Sequence, residues 1–144
     1  VFELRGESMA SIDDLFAADL FDELVCEDSL QDEFDEQFYD AVLRRNPDNL
    51  AVLRRLVEVV ARRGAYEQAL ELNQRILALD AADSVAHYNQ ACSFSMLGNV
   101  ESGLRALKRA VRTGYSDLAH LEADADLELL RSDLRYFDVL ALFA

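Results

Sequence analysis

Two stretches decide the fold of this chain: Gly64-Ala65-Tyr66-Glu67-Gln68-Ala69-Leu70 and Gly98-Asn99-Val100-Glu101-Ser102-Gly103-Leu104. They lie 34 residues apart and align glycine on glycine, glutamate on glutamate and leucine on leucine. The match continues, with Arg75 opposite Arg109, Ile76 opposite Ala110 and Leu77 opposite Val111. It begins near Leu50 and restarts at Ser84. A fixed period of this length marks stacked helical hairpins, because one hairpin alone cannot bury its apolar face and its neighbour completes the burial.

Spacing within the period assigns the helices. Leu53, Leu56, Val57 and Val60 form one apolar stripe at helical spacing. Gly64 then ends that helix, since a residue without Cβ accepts the left-handed conformation a helix C-terminus needs. A second run places Ala69, Leu70, Leu72, Asn73, Ile76 and Leu77 on its inner side. The next unit repeats the plan with His87, Ala91 and Phe94 before Gly98, then Gly103, Leu104, Leu107, Ala110 and Val111. Small Ala69 and Gly103 allow close helix approach. The expected order is an arm helix near 12–26, helices near 30–45, 49–63, 67–79, 83–97 and 101–113, then shorter helices from 117 to 143. Two full repeats leave both ends apolar, so the arm and the C-terminal Leu134, Phe137, Leu140 and Leu142 are expected to cap the array.

At this point the chain resembles the tetratricopeptide repeat (TPR) family. The family's Gly-x-Tyr-x-x-Ala core stands as Gly64-Ala65-Tyr66-Glu67-Gln68-Ala69, and its closing Asn-Pro as Asn46-Pro47. The same closing position is weakened to Asp80-Ala81 and Gly114-Tyr115. Reading backwards, Tyr39, Val42, Leu43 and Pro47 match the second helix of a preceding, incomplete repeat. Forwards, Leu118, Leu121 and Ala125 match the opening of a third. The stretch from Ala86 to Arg131 looks like the closing module of many bacterial repeat proteins, which carry Pro where Ala125 and Leu134 stand. The resemblance covers about residues 36–140. It implies an all-α fold, a right-handed α-solenoid of TPR-like hairpins with N- and C-terminal capping helices. Full repeats fall near 50–83 and 84–117 within a domain of 29–144, preceded by an acidic arm of 1–28.

The resemblance also implies where binding occurs: on the solvent-facing side of the first helix of each hairpin, which lines a concave groove. Carried onto this sequence, the groove residues are Arg54, Glu58 and Arg62 from the first repeat and Tyr88, Asn89, Cys92, Ser95 and Met96 from the second. Asn89 matches an Asn with which relatives bind a peptide backbone. Arg54 matches a basic position that holds a terminal carboxylate, and Glu58 stands where an Asn is expected. Arg54 and Tyr88 are expected to project from the array, beside a partner peptide or helix of mixed apolar and acidic character.

Charge is unevenly spread. From Gly6 to Leu43 there are 13 acidic residues and no Lys or Arg, whereas Arg44 to the end carries 13 basic and 14 acidic residues. Most of the net charge of −14 therefore belongs to the N-terminal region. Self-repulsion there favours disorder, yet Ser11-x-x-Asp14 and Ser29-x-x-Asp32 read as variants of the helix capping box. Phe16, Leu20 and Leu24 lie on an apolar stripe of the first signposted helix, and Leu30, Phe34 and Phe38 on that of the second. The arm stripe needs a surface to bury against, so Phe16, Leu20 and Leu24 are expected contacts to the array, to a second copy in a homodimer, or to a partner. Arginine pairs at 44–45, 54–55 and 62–63, and the stripe Arg105, Lys108, Arg109 and Arg112, are either solvated faces or receivers of that acid.

Other chemistry finds little purchase. The five glycines form no phosphate loop. His87 and His120 have no metal-ligand partner at helical spacing; His87 reads as a packed core histidine, and Asp124 and Asp126 as helix caps. Cys26 and Cys92 make no disulfide or metal framework. No enzyme activity, cofactor or metal is expected, and the acidic arm argues against nucleic acid as a partner. No stretch approaches the roughly 18 apolar residues a membrane helix requires, so no membrane partner is expected. No signal peptide is visible, and a cytoplasmic bacterial location is the natural reading. Met9-Ala10-Ser11 reads as a native start, with residues 1–8 an added extension. The favoured function is a TPR-like adaptor binding a partner's peptide or helix. The alternatives are an acidic regulator or nucleic-acid mimic acting through the arm, and a TPR-type secretion chaperone.

Overall fold

The computed structural model describes residues 28–144, and the expected arm helix with Phe16, Leu20 and Leu24 lies outside the described residues. Helices account for the ordered elements, with no strand among the described residues. Helix α1 runs through 28–45. It is followed by α2 (Leu50–Arg62), α3 (Tyr66–Leu79), α4 (Ser84–Met96) and α5 (Val100–Arg112). The closing segment consists of α6 (Leu118–Ala123), a 3-10 turn at Ala125–Leu127, α7 (Glu128–Arg131), α8 (Tyr136–Leu140) and a final 3-10 turn at Ala141–Phe143.

Local chemistry sets these boundaries. Asn49, Asp83, Asn99 and Asp117 each accept a hydrogen bond from the backbone N–H three residues on, at 3.0–3.2 Å. Each thereby satisfies a donor that a helix N-terminus leaves unpaired. At the other end, Gly64 and Gly98 take φ of 77° and 82°. There Ala65 N–H donates to Val60 O and Asn99 N–H to Phe94 O, the same capping turn one repeat apart. The sequence period thus reappears as a period of hydrogen bonds.

The hairpins stack so that each helix packs on its neighbours, α4 on α5, α2 on α3 and α3 on α4. One core cluster joins Leu43 of α1 to Leu53, Leu56, Val60, Leu72 and Ile76. A second joins Ala91, Leu104 and Leu107 to Leu121, Leu127, Leu130, Tyr136 and Val139 of the closing segment. Gly103 is a point of close approach: a Cβ there would lie 2.8 Å from a Leu130 methyl and 3.4 Å from Cβ of Phe94. His87 is buried and its Nε2 lies 3.0 Å from Ala81 O, the packed histidine expected.

Two faces differ from expectation. The closing segment does cap the array, but through Tyr136 and Val139, not through the expected Leu134, Phe137 and Leu142. Leu134 is 82% exposed, Phe137 66% and Leu142 38%, while Leu140 only partly packs on the core. The C-terminal sequence carries two apolar stripes at helical spacing, 134/137 and 136/139/140. The turn before α8 selects between them. Asp133 Oδ1 accepts from Arg135 N–H at 2.9 Å and its carboxylate pairs with the Arg135 side chain at 3.0 Å, so the helix enters with Tyr136 inward. On α1, Tyr39 and Leu43 pack on the array while Leu30, Phe34 and Phe38 remain 55–65% exposed.

Part of the acid-to-base contact expected from the charge asymmetry is made by α1. Asp32 pairs with Arg62 at 2.7 Å, and Glu36 and Glu33 pair with Arg63. On the opposite side of the hairpin, Arg75 donates to Pro47 O at 2.9 Å.

The corrected capping face has a direct consequence. Val139→Asp places an unpaired charge in a fully buried site and is expected to cost several kcal/mol. Phe137→Asp should stay within about 0.5 kcal/mol of the parent, as surface substitutions do. Chemical denaturation of both variants checks the assignment.

Candidate functional site

The first helices of the two hairpins, α2 and α4, line one side of the array, and three recesses follow one another along it. Arg54, Glu58, Asn89 and Val85 surround the first, of about 330 Å³. Glu58, Arg62, Tyr88, Asn89 and Cys92 share the second, of about 650 Å³, with Asp124 and Asp126 of the closing segment. Ser95 and Met96 border the third, of about 460 Å³, with Asp126 and Leu129. Each of the eight residues carried over from the family resemblance borders one of these three recesses.

Several of them do not stand as expected. Tyr88 is 5% exposed rather than projecting. Its ring stacks on Tyr115 at 4.4 Å, and its hydroxyl donates to Asp124 Oδ2 at 2.5 Å. Ser95 is buried as well, and Met96 is exposed. Arg54 does project, but its guanidinium is already engaged: it donates to Asp83 Oδ2 at 2.9 and 3.2 Å, and Asp80 lies 3.9 Å away. Asp83 is also the N-cap of α4, so this ion pair braces one hairpin against the next. Arg62 is held by Asp32, and that hydrogen bond raises its pKa. Arg54, expected to hold a partner's terminal carboxylate, and Arg62 beside it in the expected groove are both paired within the chain.

The carboxylates are placed differently. Asp124 Oδ1 accepts from Asp126 N–H at 3.0 Å, the capping role expected of it, while Oδ2 takes the Tyr88 hydroxyl. His120 Nε2 lies 3.5 Å from the same oxygen. Arg131 holds the loop from behind, donating to Leu121 O at 3.0 Å and Asp124 O at 2.6 Å. Burial first, and then the Asp124 charge, pushes the Asp126 carboxyl up from its ordinary range. Burial likewise pushes up the Cys92 thiol and the Tyr88 hydroxyl. Cys92 is therefore a protonated, groove-lining thiol without nucleophilic character at neutral pH. Among the described residues no group of three His, Cys, Asp or Glu side chains is arranged to hold a metal ion.

One groove residue escaped the reading of binding positions. Asn73 of α3 lines both the first and the second recess. It is fully buried, and neither its Nδ2 nor its Oδ1 has a hydrogen-bond partner. The residue one period on is Leu107, equally buried and wholly apolar. The internal comparison thus marks Asn73 as a polar group in a leucine position, a signal present in the sequence once the repeats are aligned.

No family model matches the chain. Among curated proteins it is similar to a chloroplastic protein of Arabidopsis thaliana, with 38% identity over 86 residues; these make up 58% of this chain and 26% of that protein. The chain thus spans about a quarter of that plant protein. Among solved structures it is similar to the MamA RS-1 ArsTM double mutant, with a TM-score of 0.59 and 18% identity over 78% of this chain and 66% of that one. The fold is accordingly a TPR-like helical solenoid.

The raised Asp126 pKa carries a stability prediction. An acid whose folded pKa lies above its unfolded one destabilises the fold wherever it is ionised in both states, and the penalty vanishes once it is protonated in both. Asp126→Asn should therefore raise the melting temperature at pH 7. That gain should shrink as pH falls and be gone below the ordinary value of 3.8. Melting curves across this range check the sign.

Proposed function

We propose that this chain is a non-enzymatic scaffold that binds a segment of a partner protein in the groove along α2, α4 and the closing segment. The observation that carries the reading is Asn73. A buried amide left without partners costs about 1–3 kcal/mol, and a packed leucine at the same repeat position would avoid that cost, as Leu107 does. A peptide group offers the complement of a carboxamide, one N–H and one C=O, and a partner segment lying in the groove would recover the loss. Asn89 in the same recess supplies a second carboxamide. The TPR-like fold agrees with a scaffold of this kind.

No helix among the described residues is long and apolar enough to cross a membrane. The readings that act through the arm depend on residues 1–27, outside the described residues. A cytoplasmic bacterial setting remains the proposal of the sequence alone, and the curated relative is a plant chloroplast protein.

The groove is tested by site-specific photo-crosslinking of the full chain. A crosslinker replacing Asn89 should capture the partner segment, while one replacing the exposed Arg109 on α5 should not. Capture through Arg109 and not through Asn89 would remove the groove from consideration. Asn73→Leu should add about 1–2 kcal/mol of stability, the unpaired-amide cost removed, and should weaken partner binding.

A further inference from the structure

We infer that the groove selects a partner segment bearing an arginine or lysine side chain, whose cation faces Asp124, Asp126 and Glu58 while its backbone meets Asn73. This deepens the groove reading and rests on it. The charge assignment reverses what the arginines of α2 suggest in sequence, and the reversal follows from which charges the fold already uses. Arg54 is bound to Asp83, and Arg62 to Asp32. Both therefore offer a partner carboxylate only what is left after an internal ion pair.

The acids of the central recess are less well matched. Asp124 takes the Tyr88 hydroxyl, the Cys92 thiol at 3.8 Å and the Asp126 N–H, all neutral donors. Arg131 contacts the Asp124 carbonyl rather than its carboxylate. His120, 3.5 Å from Asp124, is a cation only when protonated. Glu58 lies 3.5 Å from Arg55, an exposed pair in which solvent screens most of the attraction, and it also faces Arg62, whose first partner is Asp32. Two neighbouring carboxylates in a part-buried recess favour a cation between or beside them; the same repulsion contributes, after burial, to the raised Asp126 pKa.

Asn73 supplies independent evidence of an unmet polar demand at this recess. It borders this recess, is fully buried, and is unpaired at both amide atoms. A recess of about 650 Å³ holds a long basic side chain together with its own peptide groups. A guanidinium, planar and with five donors, can reach more than one carboxylate, whereas an ammonium acts as a point charge. Arginine is therefore the better fit of the two.

The test is a titration of the isotope-labelled full chain, followed by backbone amide shifts. Four pools of short, end-blocked peptides serve as probes, each with Arg, Lys, Glu or Ala fixed at the centre among neutral residues. The Arg pool should give saturable shifts at Asn73, Asp124 and Asp126, with an apparent Kd at least about tenfold below that of the Glu pool. The Lys pool should fall between them. The double variant Glu58→Gln/Asp126→Asn leaves the Asp124–Tyr88 contact in place and should fold with no loss of melting temperature. In it the preference for Arg over Ala should largely disappear. Equal or tighter binding of the Glu pool, or an Arg preference that survives the double variant, would overturn the inference while leaving the groove reading intact. No groove shifts with any pool would overturn both.

Discussion

One residue, Asp124, meets three demands at the point where the repeat array ends. It accepts the Tyr88 hydroxyl from α4, it caps the 3-10 turn through the Asp126 N–H, and its carbonyl receives Arg131. A hydrogen bond to a charged group contributes on the order of 1.5–3 kcal/mol, a large share of the stability of a small domain. The Tyr88–Tyr115 stack lies beside it. These contacts fix the closing segment against α4, so that Leu121, Leu127 and Leu130 cover the apolar end of the second hairpin. They also form the far wall of the groove. The same contact that ends the solenoid therefore shapes its concave side.

Two polar groups along that side are poorly accommodated. Asn73 occupies a core position without partners, and Asp126 carries its charge in a place that disfavours it. Both features cost stability, and neither is required by the hairpin plan, since Leu107 shows the apolar solution at the equivalent position. Arg54 and Arg62, by contrast, strengthen the frame: one braces α2 against the start of α4, the other ties α2 to α1. The groove's arginines are engaged within the chain, while Asn73 and Asp126 are the polar groups left poorly matched.

Most of the architecture was legible in the sequence because it rests on local rules. Gly64 and the matching Gly98 mark helix ends in the sequence itself, whereas the Asn49, Asp83, Asn99 and Asp117 caps emerge with the structure; all act within a few residues of themselves. The inward faces of α2 to α5 follow from a single apolar stripe each. Where two stripes compete, the sequence offers no decision: Phe137 and Val139 both fit helical spacing, and the Asp133–Arg135 turn chooses Val139. The site was less legible for a related reason. Which cations are free depends on partners about 30 residues away, Asp83 for Arg54 and Asp32 for Arg62, and that pairing exists only after the hairpins stack. Tyr88 is buried because the closing segment folds back on it, which the repeat period alone does not state. Asn73 was visible as an inner residue, but its lack of partners was not.

The account depends most directly on the Tyr88 hydroxyl as the tether of the closing segment. Hydrogen exchange of Tyr88→Phe, which removes that one oxygen and little else, reads the tether without disturbing the hairpin cores. The account predicts faster exchange across residues 118–131 while α2 and α3 keep the protection of the parent. Unchanged protection over 118–131, or an acceleration spread evenly over the whole array, would contradict it.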